Sequence, residues 1–92
     1  MSVETTATQT LTLTVRYFAA ARAAAGTESE TVRIAPGTTV AALVDALGAR
    51  GPQLAHVLRR CSFLCDGMAV RDDTAALTNV QVIDVLPPFA GG

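Results

Sequence analysis

The sequence predicts an α+β domain in which a mixed sheet packs on one main helix and a short glycine-ended tail follows the last strand. Three observations carry that expectation. Residues Leu11 to Phe18 alternate with period two, residues Val40, Leu43, Val44 and Leu47 fall at helical spacing, and a hydrophobic run ends at Pro87-Pro88, four residues before the end of the sequence. The chain has 92 residues, enough for one hydrophobic core but not two. Its composition, 50% hydrophobic and 16% charged, suits a folded domain over a disordered chain.

The first strand places Leu11, Leu13, Val15 and Tyr17 on one face and Thr12, Thr14, Arg16 and Phe18 on the other. Ala19 to Ala25 is alanine-rich and stops at Gly26, which reads as a short helix with a left-handed cap. A second strand is expected over Ser29 to Ile34. Pro36-Gly37 then turns the chain, and Thr38 or Thr39 caps the main helix. Gly48 and Gly51-Pro52 end that helix; Leu54, Val57 and Leu58 indicate one or two further turns before Arg59-Arg60. Ser62 to Leu64 and Met68 to Val70 form an antiparallel hairpin about Asp66-Gly67, a dipeptide that favours tight two-residue turns. After a polar loop from Arg71 to Thr74, the last strand runs from Val80 to Leu86 and stops at two prolines, which cannot donate to a ladder. This order of elements is that of a β-grasp domain over residues 11–88, with residues 1–10 as a disordered N-terminal tail and residues 89–92 as a flexible C-terminal tail.

Several function classes are disfavoured by composition. A net charge of −1 provides no cationic field for nucleic acid or an anionic membrane surface. No apolar run approaches the ~18–20 residues needed to cross a bilayer, and the Thr-rich start lacks the basic and hydrophobic regions of a secretory signal. All seven basic residues are Arg, so no side-chain amine is available for acylation; a coding bias would produce the same skew. Cys61 and Cys65 share a strand face roughly 13 Å apart, beyond the ~7 Å limit for a disulfide, and read as free structural thiols of a reducing, cytoplasmic compartment. With His56 they make an incomplete zinc set, so no metal site is expected. His56 reads as a surface or packing residue beside Leu54 and Leu58, and Asp72-Asp73 as loop-capping carboxylates. No glycine cluster precedes a helix as a phosphate-binding loop requires.

The tail is where chemistry can reside. Pro87-Pro88 impose an extended backbone, and Gly91-Gly92 have no side chains, so the end is narrow enough to enter a tunnel that bulkier residues would block. A terminal Gly-Gly is equally what a frayed chain end contains. The segments VRYFAAARAAAG and IDVLPPFAGG, with the Asp66-Gly67 turn between them, resemble the small subunit of molybdopterin synthase, a sulfur carrier of the ubiquitin-like ThiS/MoaD family. The resemblance runs from about Leu11 to Gly92. It departs at Asn79-Val80-Gln81, where relatives often carry an acidic turn with glycine, and a changed turn is expected there.

That resemblance implies a ubiquitin-like fold and a carrier role. Gly92 would be adenylated by a ubiquitin-activating-type adenylyltransferase at the expense of ATP, then converted to a thiocarboxylate. Phe89, Ala90 and Gly91 would occupy a tunnel in the large subunit of molybdopterin synthase, with which the family forms a heterotetramer. There the sulfur would pass to cyclic pyranopterin monophosphate to build the molybdopterin dithiolene, and the carrier would be no enzyme on its own and bind no cofactor. Sulfur carriage for thiamine or amino-acid synthesis, a protein modifier, and a plain interaction module share the same ending. Strand parity independently puts Val82, Asp84 and Leu86 opposite Ile83 and Val85, with Asp84 facing water and Leu86 exposed. Phe18, Arg22 and Leu86 are therefore expected to form a partner-binding surface around the tail.

Overall fold

The computed structural model describes residues 10–88; the tails expected over residues 1–9 and 89–92 lie outside the described residues. Strand β1 (Leu11–Tyr17) is followed by helix α1 (Ala19–Ala25), strand β2 (Ser29–Ile34), helices α2 (Val40–Gly48) and α3 (Pro52–Leu58), the hairpin β3 (Ser62–Cys65) and β4 (Met68–Ala69), and strand β5 (Val82–Leu86). The five strands form one sheet in the order β2-β1-β5-β3-β4. The β1–β5 pair is parallel, with Tyr17 opposite Val85; the others are antiparallel, so the sheet is mixed as expected.

One face of the sheet makes the core. Leu13, Val15 and Tyr17 of β1 and Ile83 and Val85 of β5 are buried with Leu43 and Leu47 of α2 and Leu54 and Leu58 of α3. Each such side chain contributes roughly 1.5–3 kcal/mol by leaving water. Gly48 lets α3 approach α2 closely, since a Cβ there would lie 3.3 Å from the Cβ of Ala55.

Local signals act where the sequence places them. Gly26 caps α1 at φ 80°, and its amide donates to the Arg22 carbonyl at 2.9 Å. Of the two threonines, Thr39 is the cap of α2: its hydroxyl accepts from the Ala42 amide at 3.0 Å. Asp66 and Gly67 take φ 47° and 86°, the left-handed pair of a tight hairpin turn. Asn79 adopts φ 65°, a conformation asparagine tolerates, and so serves where glycine would.

Two expectations about strand boundaries need correction, and one core residue went unanticipated. The last strand begins at Val82 and not at Val80, because the Asp66 carboxylate takes the Gln81 and Val82 amides (3.1 and 2.9 Å). The hairpin strands each shift by one residue at the Cys65 and Ala69 ends, the usual uncertainty of element boundaries. Leu77, in a stretch with no periodic pattern, is a core residue. Its loop closes the start of α2: Val40 and Ala41 donate to the carbonyls of Ala75 and Asp73, and Leu77 donates to that of Thr38 at 2.8 Å. Helix amides that have no partner within the helix are thus satisfied by a loop far away in sequence.

A polar cluster ties the sheet to the helical layer. The Tyr17 hydroxyl donates to Glu30 at 2.6 Å, and Arg50, just after α2, donates to both Glu30 oxygens, Nη2 to Oε1 at 2.6 Å. The Arg50 hydrogen bonds hold the Glu30 carboxyl below the ordinary carboxylate range, against desolvation, which acts the other way. A carboxylate with a depressed folded-state pKa adds stability above its unfolded pKa, and that stability is lost as pH falls through the folded value. Glu30→Gln is therefore expected to lower the melting temperature at pH 7 by about 5–10 °C and to flatten the decline in stability as pH falls below the ordinary carboxylate range. Thermal melts across that range read both effects; an unchanged pH profile would exclude the cluster as a source of acid sensitivity.

Candidate functional site: the exit of the last strand

Because β1 and β5 are parallel and in register at Tyr17–Val85, their C-terminal ends lie side by side. The Phe18 amide donates to the Val85 carbonyl at 3.2 Å, which carries the pairing one residue past β1. Ala19 then takes φ 51°, turning the chain out of the sheet and into α1. On the neighbouring strand Leu86 leads to Pro87 and to Pro88, which is exposed. The point where the chain leaves the sheet thus sits beside Phe18. Gly92, Phe89, Ala90 and Gly91, the residues expected to carry the chemistry, lie outside the described residues.

The partner-binding residues of the sequence reading do converge here. Phe18 is 38% exposed on the face away from the core, as its parity requires. Arg22 follows in α1 and lies 3.5 Å from Glu28, an exposed pair worth little in stability. Leu86 is half-buried and not exposed as expected, yet it does not belong to the core cluster. Leu64 and Val82 share that condition. Since Leu64 pairs with Asp84 and Ser62 with Leu86, they lie on the same outer face.

Asp84 departs most from expectation. It occupies the outer face, as its parity demands, but only 7% of it is exposed. The reason is its neighbour in the parallel register, Arg16, whose Nε and Nη2 donate to the two carboxylate oxygens at 2.6 and 2.9 Å. The guanidinium covers the carboxylate and lies 5.9 Å from the centre of the Phe18 ring. A two-point ion pair is thereby set among Phe18, Leu64, Val82 and Leu86. Single-strand periodicity could not reveal it, because the two residues are 68 positions apart.

The other sequence-level candidates do not assemble a reactive centre. His56 is exposed on α3. Asp72 accepts from the Thr74 amide at 2.9 Å and from its hydroxyl, which makes it a loop cap and holds its carboxyl below the usual range. Cys61 and Cys65 are free, half-buried thiols with pKa values raised by burial; Asp66 adds to the effect at Cys65. Among the described residues no group of three or more His, Cys, Asp or Glu side chains could hold a metal ion, and no helix is long and apolar enough to cross a membrane.

The ThiS family model matches residues 15–92, taking in the C-terminal end of β1, all of β5 and the glycine ending. The chain belongs to the ThiS family. Among curated relatives of this ThiS protein is the molybdopterin synthase sulfur carrier subunit of Chlamydomonas reinhardtii, 32% identical over 79 residues that cover 85% of this chain and 95% of that one. Among solved structures, SAMP1 of Haloferax volcanii, a small archaeal modifier protein, aligns with TM-score 0.75 at 23% identity over 89% of this chain and 100% of its own. Subunits 1 and 2 of molybdopterin-converting factor from Helicobacter pylori have been solved as a protein–protein complex, in which the matching chain aligns with TM-score 0.63 at 21% identity, covering 89% of this chain and 100% of that one. At these identities the structural likeness establishes the ubiquitin-like β-grasp fold.

Two outcomes follow from this geometry. Phe18→Ala should change the melting temperature by no more than a few degrees, since its ring lies outside the core, whereas Leu13→Ala should cost about 2–5 kcal/mol and lower it by 10 °C or more. Cys61 and Cys65, with raised pKa values, should react with iodoacetamide at pH 8 more slowly than a model cysteine peptide, as mass spectrometry of the alkylated protein would show.

Proposed function

We propose that this protein is the sulfur-carrying small subunit of a molybdopterin synthase and that its working group is the carboxylate of Gly92. The observation that carries the reading is the exit of β5: a ThiS-family chain whose central strand leads through Pro87-Pro88 to Phe89-Ala90-Gly91-Gly92, with Leu86 and the neighbouring Phe18 outside the core cluster. The name of the Chlamydomonas relative supports the pathway, and the Helicobacter complex supports a second subunit as partner.

The chemistry follows from what a carboxylate lacks. It is a poor acyl donor, so an activating adenylyltransferase joins it to the α-phosphate of ATP, with pyrophosphate leaving, and a sulfur nucleophile then displaces AMP to leave the thiocarboxylate. The extended Pro-Pro and the side-chain-free Gly-Gly let this group reach the active site of the large subunit, where it donates sulfur to cyclic pyranopterin monophosphate. Phe18, Leu86 and Arg22 meet the large subunit around the tail, in a heterotetramer of two small and two large chains. Catalytic groups for the transfer come from that partner.

Incubation with the activating enzyme, ATP and a sulfur donor should raise the intact mass by about 16 Da, oxygen being replaced by sulfur, and removal of Gly92 should abolish the gain while leaving the melting temperature unchanged. A full-length chain that gains no sulfur, or a truncated one that still donates it, would remove the carrier reading. Conjugation to lysines of other proteins under the same conditions would instead favour a protein modifier. Phe18→Ala and Leu86→Ala should weaken binding to the large subunit about tenfold or more by calorimetric titration, and Arg22→Ala less than either.

A further inference from the structure

The outer face around the exit carries Phe18, Leu64, Val82 and Leu86, and the Arg16–Asp84 pair lies among them. Asp84 is enclosed and both of its oxygens are bonded, so it has little left to offer a partner. Arg16 is different. Its side chain is 51% exposed, two of its nitrogens are committed to Asp84, and Nη1 makes no hydrogen bond among the described residues. The pairing to Asp84 and the Phe18 ring nearby fix the plane of the guanidinium, so Nη1 is held outward in a defined direction, where an unpaired arginine would sample many.

We infer that Arg16 is the residue by which this face selects its partner, and that the cognate large subunit presents an apolar patch carrying one carboxylate that accepts from Nη1. The inference rests on the proposed carrier function and names the chemistry of its docking partner. A protein surface that covers Phe18, Leu64, Val82 and Leu86 also strips water from Nη1. A purely apolar surface leaves those N–H groups without an acceptor and is penalised, whereas a surface with a carboxylate there gains a charge-assisted bond at a preset angle. A replacement of Arg16 and Asp84 by packed apolar residues is commonly neutral or stabilising for a fold, so the pair contributes to selection among partners more than to folding.

The test titrates the large subunit with the wild-type carrier, with Arg16→Lys, and with the double variant Arg16→Leu/Asp84→Leu, each at low and high salt and beside thermal melts. Arg16→Lys keeps the charge but loses the fork and its fixed direction, so it remains informative if the double variant fails to fold. Both variants are expected to bind about tenfold or more weakly with melting temperatures within a few degrees of wild type, and the double variant should lose part of the salt dependence of binding. Unchanged affinity of the folded variants would overturn the inference while leaving the carrier function intact. So would an equal loss at all salt concentrations, which would mean that the pair only shapes the surface. A wild-type carrier that gains sulfur at Gly92 but does not bind the large subunit would overturn this inference and the molybdopterin pathway together.

Discussion

The parallel pairing of β1 with β5 is the constraint on which the rest depends. It brings the two ends of the described chain into the middle of one sheet, aligns Phe18 with Leu86, and sets Arg16 directly beside Asp84. An antiparallel neighbour would send the tail to the opposite end of the domain. The parallel arrangement requires everything between the two strands to be a crossover, and the helices that fill it cover one face only. One sheet face therefore becomes core and the other is left for contact.

The two faces handle polar groups differently. On the core side the Tyr17 hydroxyl, Glu30 and Arg50 satisfy one another where β1, β2 and the end of α2 meet, so that the core is entered only by groups with partners. On the outer side the Arg16–Asp84 ion pair lies among Phe18, Leu64, Val82 and Leu86. The first cluster holds layers of the domain together. The second lies on the sheet face opposite the helices, beside the exit of β5.

Most of the fold was legible because its signals are local. Period-two alternation gave β1 and its faces, Gly26 and Asp66-Gly67 marked turns that need left-handed backbone, and the spacing of Val40, Leu43 and Leu47 gave α2 its buried side. What escaped was non-local. Leu77 has no periodic neighbours and is buried because its loop returns to cap α2; Val80 and Gln81 read as strand, but the Asp66 carboxylate in the hairpin turn claims the amides of Gln81 and Val82. Asp84 was assigned to the correct face and the wrong environment, because alternation states which way a side chain points and not what lies over it. Phe18 was legible as an outward-facing residue and Leu86 was placed on the right face but not in its half-buried state, whereas the contact of Arg16 with Asp84 stayed hidden behind a pairing that only topology creates.

The order of strands also bears on how the domain is made. β5 follows every other element along the chain, yet it fills the middle of the sheet, between β1 and β3. During synthesis the earlier strands must wait with a vacant central slot, and a chain interrupted before Leu86 has nothing to put in it. Such a fragment would expose two unpaired strand edges, the kind of surface that quality-control proteases and chaperones engage. A molecule that has closed its sheet has therefore been translated at least as far as Leu86.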